Sequence, residues 1–366
     1  MASVFLILPI PSIPLSAFYN IMLTYIIIIS ILIHLATHVL IPLNIRFSTR
    51  HGIVALPTER RIHKHATPEG GGLSFALPVI LAQLLWGWYL RGEDTGRMLI
   101  QLAIVGLIAL TLGLIDDKYE SRVRYKIFWQ LGLGILMYFV GYRVLYLTNP
   151  LGPDFILGWM AFPVTVLWYV IVINAINLID GMDGLAAGIS LIVSIVLLIV
   201  GIKESNLMVI SLAAFLCSGV LAFLRYNFFP ARIFLGETGA QFIALNIAAI
   251  STAGAEQFKG ITSMTLMIPL AALGIPILDV MLAIFRRIRV GSIFKADKAH
   301  IHHTMLAFGL SQRTISIIVY FITVLFGLIA IGFSFTDKKV LFSLLLILLA
   351  LVVVIAYLLM RWSQKK

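Results

Sequence analysis

The stretch NAINLIDGMDGLAAG, Asn174 to Gly188, lies at the junction of two apolar runs, Trp159 to Ile179 and Leu185 to Ile202. Each run has about the 20 mostly apolar residues that a helix needs to cross a bilayer. Two amides and two carboxylates gather at this junction, where Gly181 and Gly184 interrupt the helical pattern. The stretch therefore predicts two membrane-spanning helices joined by a polar loop.

The composition of the whole chain agrees with a membrane location. Of its 366 residues, 61% are hydrophobic and 12% are charged, whereas a globular protein is about half apolar and about a quarter charged. A soluble enzyme and a disordered binding protein are both excluded, because neither could cover this much hydrocarbon. The single cysteine, Cys217, excludes a disulfide framework and a cysteine-based metal site.

Apolar runs of similar length recur along the sequence. We predict an all-α polytopic integral membrane protein with about eleven transmembrane helices, folded as a single domain over residues 1–366. The eighth span is short, and it is kept because without it the basic segment 286–314 would lie outside the cell. The predicted spans are Phe18 to Ile41, Leu73 to Leu90, Met98 to Ile115, Ile127 to Leu147, Trp159 to Ile179, Leu185 to Ile202, Leu207 to Leu224, Gln241 to Ala253, Met264 to Phe285, Ile315 to Phe335 and Val340 to Met360.

Basic residues set the orientation of these helices. With the N-terminus outside, 20 of the 27 Lys and Arg residues face the cytoplasm, in segments 42–72, 116–126, 180–184, 225–240, 286–314 and 361–366. We therefore predict a multi-pass protein of the cell inner (plasma) membrane with a cytoplasmic C-terminus. The first basic residue is Arg46, so the N-terminus lacks the basic region of a signal peptide and is expected to be retained. Cytoplasmic loops account for the net charge of +11, and nucleic acid is not a predicted partner.

Acidic residues also concentrate on the predicted cytoplasmic side, where nine of the sixteen lie. Topology does not require them there, and ionisable groups beside transmembrane segments mark functional sites. The segment GLIDDKYE, Gly113 to Glu120, places Asp116 and Asp117 side by side at the end of a span. A solvated loop start is one interpretation. A Mg²⁺ site is favoured, because Mg²⁺ binds one or two carboxylates together with waters and phosphate oxygens.

The loop after the fifth span offers a second group of polar side chains. Asn174, Asn177 and Asp180 are spaced by three residues and share a helix face, and Asp183 follows them. Helix capping with interhelical hydrogen bonds is the structural alternative. We predict that these side chains line a functional site.

Three further segments add aromatic and basic groups. The segment RYNFFPARIFLGETGA, 225–240, has two interpretations. Its aromatic residues anchor a helix end at the membrane interface, or Phe234 stacks on a base and Glu237 binds a metal. In FKADKAHIHHTM, 294–305, three histidines lie among lysines, which favours phosphate over zinc. TERRIHKHATPEGGG, 58–72, is either a phosphate-binding loop or a merely positive one.

Together these segments place carboxylates, amides, histidines and cations on one side of a membrane. They predict a cytoplasmic site that holds Mg²⁺ and a diphosphate, with a lipid as the second reactant. A secondary transporter is the rival class, but it predicts charges near the middle of the bilayer rather than at span ends.

The chain resembles the polyprenyl-phosphate N-acetylhexosamine-1-phosphate transferases. The resemblance is carried by four motifs in the family's order: GLIDD, NAINLIDGMDGLAAG, FLGETGA and ADKAHIHH. Within the family, the chain is most similar to the bacterial undecaprenyl-phosphate GlcNAc-1-phosphate transferases. The resemblance extends from Gly52 to His303. It implies a Mg²⁺-dependent enzyme, with Mn²⁺ as the alternative cofactor. This enzyme would transfer GlcNAc-1-phosphate from a UDP-sugar to undecaprenyl (polyprenyl) phosphate and release UMP.

The same resemblance sets the expected context of the reaction. The product would begin a cell-envelope glycan such as lipopolysaccharide or teichoic acid. Another UDP-N-acetylhexosamine or UDP-MurNAc-pentapeptide is the alternative donor, and a homodimer is an assembly that the family allows.

Roles for individual residues also follow from the resemblance. The expected catalytic residues are Asp116, Asp117, Asp180, Asp183, His300, His302 and His303. The expected substrate-binding residues are Lys64, Asn174, Asn177, Asn227 and Phe234, and the expected metal ligands are Asp117, Asp183 and Glu237. The chain departs from the family pattern at two positions. The family usually has Asp where this chain has Glu237, and it usually has an acidic residue where this chain has Ala55. A longer side chain at position 237 would shift the metal or bind it through water.

Overall fold

A computed structural model of the chain describes residues 15–56, 66–147, 149, 152–253, 267–278, 281, 305–306, 308–333, 335 and 338–363. Two short antiparallel hairpins pair β1 (Val54–Ala55) with β2 (Thr67–Pro68) and β3 (Tyr146–Leu147) with β4 (Phe155–Ile156). The helices are α1 (Leu15–Arg50), α2 (Gly72–Tyr89), α3 (Asp94–Tyr119), α4 (Val123–Val140), α5 (Ala161–Ile179), α6 (Leu185–Lys203), α7 (Leu207–Asn227), α8 (Gly236–Thr252), α9 (Met267–Ala272), α10 (Gln312–Gly332) and α11 (Lys338–Ser363).

The helices confirm an all-α membrane protein. Each of the predicted spans overlaps a helix of the described residues. The number of crossings and the orientation of the chain remain predictions. Within the described residues, seven segments are long and apolar enough to cross a bilayer: Ser16–Arg50, Gly72–Tyr89, Asp94–Tyr119, Gly158–Ile179, Leu185–Lys203, Leu207–Asn227 and Gln312–Gly332.

Helix α8 lies at the centre of the bundle. Every residue from Thr238 to Thr252 is buried, and the helix packs against α2, α3, α5, α6, α7 and α9. Its polar side chains find partners on these neighbours: Gln83 Nε2 donates to Asn246 Oδ1 at 2.7 Å and Trp168 Nε1 donates to Ser251 Oγ at 3.0 Å. Because helices rather than lipid surround α8, it tolerates polar residues that a lipid-facing span would exclude.

Glycines allow α2 and α3 to touch the start of α8. A Cβ added at Gly113 would lie 2.5 Å from the Cα of Thr238, and one at Gly72 would lie 2.6 Å from the carbonyl carbon of Thr238. Any side chain at these positions would separate the backbones. The crossing therefore brings the last turn of α3, which follows Gly113 directly, beside the first turn of α8.

Candidate active site

Asp117 joins the end of α3 to the start of α8. Its carboxylate accepts the backbone N–H groups of Glu237 at 2.6 Å and Thr238 at 3.1 Å, as well as the hydroxyl of Thr238. These N–H groups lack partners within α8, and the N-terminal end of a helix favours negative charge. Gly236 has φ +70°, and a Cβ there would lie 2.6 Å from Asp117 Oδ2, so glycine permits this approach. Asp117 thus caps α8 from a distant part of the chain.

Asp116, the neighbouring acid, faces α4. It is 2% exposed, and its Oδ1 accepts the N–H of Ser121 at 2.8 Å. Lys126 places its Nζ 2.6 Å from Asp116 Oδ2 and 2.6 Å from Glu237 Oε1. The ammonium therefore bridges the acids of two separate motifs. Lys126 was not among the predicted site residues, because in the sequence it is one of several cations in the segment 116–126.

Glu237 is the point where three of the predicted motifs meet. Asn177, in the last turn of α5, donates its Nδ2 to both Glu237 oxygens, at 2.9 and 2.7 Å. Gln241, one turn further along α8, donates to Oε2 at 3.4 Å. Together with the Lys126 contact, these bonds hold the carboxylate in one orientation. The segments around Asp117, Asn177 and Glu237 were expected to lie together, and in the structure they are in contact.

Asp180 and Asp183 lie in the loop that follows α5. Asp183 Oδ2 accepts the N–H of Ala231 at 2.9 Å, which ties this loop to the turn after α7. Burial raises the pKa of Asp180 well above its usual range, and the carboxylates of Glu237, Asp117, Glu69 and Asp183 raise it further. Carboxylates that raise one another's pKa repel each other when they are ionised.

The donor chemistry of this region fits Mg²⁺. Carboxylate and amide oxygens are its preferred protein ligands, and a cation would relieve the repulsion around Asp180. In the part of the chain that the structure describes, no group of three or more acidic, histidine or cysteine side chains is arranged to hold a metal ion. Mg²⁺ does not require one, because it binds through one or two carboxylates and completes its shell with water and substrate phosphates.

Three of the expected substrate-binding residues make other contacts. Asn174 donates its Nδ2 to Gln130 Oε1 at 2.6 Å and to the carbonyl of Val170 at 2.8 Å, an arrangement that joins α5 to α4. Asn227 is buried and donates to the carbonyl of Ile233 at 3.0 Å. Phe234 pairs through its backbone, donating to Pro68 O at 2.8 Å and accepting from Gly71 at 2.9 Å. That pairing fixes the loop before α2 against the loop before α8.

Lys64, His300, His302 and His303 lie outside the described residues. Their assignment to phosphate, diphosphate or sugar contacts stays a prediction.

Comparison with known proteins gives a consistent set of relatives. The sequence profile described as glycosyl transferase family 4 matches residues 99–255. A probable undecaprenyl-phosphate N-acetylglucosaminyl 1-phosphate transferase of Bacillus subtilis (strain 168) is 37% identical over 308 residues, which cover 83% of this chain and 84% of the relative.

Two further relatives widen the comparison. A decaprenyl-phosphate N-acetylglucosaminephosphotransferase of Mycobacterium tuberculosis (strain ATCC 25618 / H37Rv) is 32% identical, over 78% of this chain and 76% of its own length. A phospho-N-acetylmuramoyl-pentapeptide-transferase of Clostridium botulinum (strain Alaska E43 / Type E3) is 34% identical, over 53% of this chain and 61% of its own length.

Proposed function

The chain belongs to glycosyl transferase family 4, the polyprenyl-phosphate N-acetylhexosamine-1-phosphate transferases, and we propose that it transfers GlcNAc-1-phosphate from UDP-GlcNAc to undecaprenyl phosphate. The products are UMP and undecaprenyl-diphosphate-GlcNAc. In this reaction an oxygen of the lipid phosphate forms a bond to the β-phosphorus of the UDP-sugar. The bond between the β-phosphorus and the bridging oxygen breaks, and UMP leaves with that oxygen.

One observation carries this proposal: side chains of three distant segments, Lys126, Asn177 and Glu237, meet in hydrogen-bond contact beside Asp117. A site for two phosphorylated reactants needs groups that neutralise and orient phosphate charge. The cluster supplies a partly exposed ammonium and several carboxylates at the end of membrane-spanning helices, where a lipid phosphate and a soluble nucleotide can both arrive.

The protein residues act mainly by positioning in this proposal. A phosphate monoester has its second pKa at about 6, so the lipid phosphate is largely dianionic at neutral pH and needs little help from a base. Asp117 and Lys126 fix the first turn of α8 and thereby Glu237. Asp117, Asp183 and Glu237 would hold Mg²⁺, with Asp180 beside them. When bound, Mg²⁺ would neutralise the diphosphate charge that develops in the transition state.

The nucleotide end of the site is proposed to lie near Asn227 and Phe234. Asn227 Oδ1 is a buried acceptor that has no hydrogen-bond partner within the described residues. The N–H of a uracil ring is a donor that would satisfy it. His300, His302, His303 and Lys64 are proposed to contact the diphosphate and the sugar.

We place the enzyme in the plasma membrane with this site at the cytoplasmic face, because UDP-sugars are made in the cytosol and the basic loops favour that side. The GlcNAc donor is preferred over UDP-MurNAc-pentapeptide, since the GlcNAc-type relatives cover more of the chain than the muramoyl-pentapeptide type does. A secondary transporter is disfavoured, because the acidic cluster lies at helix ends.

Purified protein with Mg²⁺, undecaprenyl phosphate and a panel of UDP-sugars tests the proposal. We expect UMP release with UDP-GlcNAc that depends on the lipid phosphate, and a much slower release with UDP-MurNAc-pentapeptide. Solute flux in proteoliposomes without UDP-sugar, together with no UMP from any donor, would reject it in favour of transport.

A further inference from the structure

Helix α10 contacts the loop that carries Asp180 and Asp183 through one side chain. Tyr320 donates its hydroxyl to the carbonyl oxygen of Gly184 at 2.6 Å. Gly184 directly follows Asp183 and is the N-cap residue of α6, with φ +74°. The same carbonyl accepts the N–H of Gly188 at 2.8 Å, the first hydrogen bond of α6. Tyr320 therefore holds the peptide group at the junction between the acidic loop and α6.

The sequence of α6 leaves room for this tyrosine. A Cβ at Gly188 would meet the Tyr320 hydroxyl and would lie 2.5 Å from its Cε1. The ring thus occupies the space that a side chain at position 188 would fill. Because Gly184 and Gly188 lie one turn apart, both glycines face α10. Packing between α6 and α10 accommodates the ring at that contact and directs the hydroxyl to the loop.

The turn after α7 also holds the acidic loop. Asp183 accepts the N–H of Ala231 at 2.9 Å, and a Cβ at Gly184 would lie 3.1 Å from the Cα of Phe228. The turn after α7 thus supports the loop through the N–H of Ala231, and Tyr320 supports it through the carbonyl of Gly184. Loss of either support would let the loop move relative to Glu237 and Asp117.

We propose that Tyr320 is a positioning residue for the acidic loop, residues 180–184, and that its hydroxyl sets the placement of Asp180 and Asp183 for Mg²⁺ and the diphosphate. The role at the metal rests on the proposed function. Tyr320 lies outside residues 99–255 that the family profile matches. The alternative is that Tyr320 only packs α10 against α6.

The test replaces Tyr320 with phenylalanine, which keeps the ring and removes the hydroxyl. Tyr142→Phe is the matched control: Tyr142 also donates its hydroxyl to a backbone carbonyl, that of Met98, at 3.2 Å, and its side chain is buried. Met98 lies at the opposite end of α3 from Asp116, about 27 Å away along the helix. Both variants lose the same chemical group, and only one of them loses it near the acidic loop.

Amide hydrogen exchange tests the structural half of the proposal without reference to any reaction. In Tyr320→Phe, the amides of residues 181–188 should exchange about three- to tenfold faster than in the parent protein, the size expected for the loss of one ordinary hydrogen bond. The amides near the end of α6 should be unchanged. Equal exchange of residues 181–188 in the two proteins would overturn the proposal.

Kinetics of UMP release test the metal half. The Mg²⁺ concentration for half-maximal rate should rise about three- to tenfold in Tyr320→Phe and stay constant in Tyr142→Phe, with the KM for undecaprenyl phosphate unchanged in both. A fall in kcat at an unchanged Mg²⁺ requirement would indicate packing alone and would refute the role at the metal. If the parent protein releases no UMP, the proposed function has failed, and hydrogen exchange still decides whether Tyr320 positions the loop.

Discussion

Gly113→Ala tests the helix crossing that forms the site. The new Cβ would lie 2.5 Å from Thr238 Cα and 2.8 Å from the carbonyl oxygen of Glu237. Carbon atoms prefer separations of about 3.5 to 4 Å, so α3 and α8 would have to move apart by about 1 Å. Both neighbours are backbone atoms, which cannot move aside as a side chain can. Overpacking of this kind costs about 1–3 kcal/mol, and the higher helix propensity of alanine returns about 1 kcal/mol.

The effect on activity should exceed the effect on stability. Asp117 lies one turn after Gly113, and its hydrogen bonds of 2.6 and 3.1 Å to α8 would be lost if the helices separated by about 1 Å. A misplacement of that size in a catalytic site can reduce the rate by about 100-fold. We expect kcat for UMP release to fall by about that factor, whereas the free energy of unfolding falls by at most about 2 kcal/mol.

Gly132→Ala provides the matched control. Gly132 lies inside α4, and a Cβ there would meet nothing within 4 Å beyond its chain neighbours and the nearby backbone of its own helix. This variant should therefore gain up to about 1 kcal/mol and keep full activity. Thermal unfolding in detergent and UMP release would be measured for both variants. If Gly113→Ala matched Gly132→Ala in both measurements, the close crossing of α3 and α8 would be refuted.

Three further outcomes are expected. Lys126→Met should lower kcat/KM by at least about 100-fold, because it leaves the Asp116 and Glu237 carboxylates without their ammonium. Lys118→Met, which changes an exposed cation in the last turn of α3, should have little effect, and equal kcat/KM values in the two variants would contradict the bridge. Asn246→Ala should lower the free energy of unfolding by about 1–3 kcal/mol, since it removes the partner of the buried Gln83 amide. The kcat per folded molecule should stay constant. A free energy of unfolding equal to that of the parent protein would show that this bond is absent. EDTA should abolish UMP release and Mg²⁺ should restore it, with Mn²⁺ as a substitute, whereas full activity in EDTA would exclude a required metal.

The sequence predicted the helical fold well where spans face lipid. The runs around Asn174 to Gly188 became α5 and α6 with a polar loop between them, because continuous apolar length is a direct requirement of the bilayer. The eighth predicted span has a short apolar run because it does not face lipid. Helix α8 is enclosed by other helices, so polar residues such as Asn246 and Ser251 find partners on neighbouring helices, and these residues lower the apolar character of α8.

The sequence motifs predicted which segments form the candidate site, but they did not predict which side chains contact one another there. Asp117, Asn177 and Glu237 were expected to meet, and they do. The role of Asn174 at the substrate stays a prediction, and its bond to Gln130 was not predicted. Which neighbour a side chain on one helix reaches depends on how the adjacent helix is rotated, and one sequence does not show that. Lys126 was not predicted, because it is one of several cations in the segment 116–126 and the sequence does not show which of them reaches the acids.

The residues that hold the acidic loop in place also cannot be identified from the sequence, because their contacts depend on how the helices are rotated. Tyr320 is one of twelve tyrosines, and no pattern in the sequence connects it with Gly184, 136 residues away. The pairing of a tyrosine with Gly188 becomes visible only when α6 and α10 lie side by side. Contacts of this kind depend on tertiary packing, whereas the spans themselves depend on composition.

The most direct test of the central claim compares UMP release by Asp117→Asn and Asp183→Asn with release by Cys217→Ser. Carboxylates from separate segments are proposed to hold Mg²⁺ and two phosphorylated reactants, so both aspartate variants should lose turnover. Cys217→Ser, a change of a residue on α7 outside the acidic cluster, should retain it. Near-normal UMP release from both aspartate variants would contradict the claim.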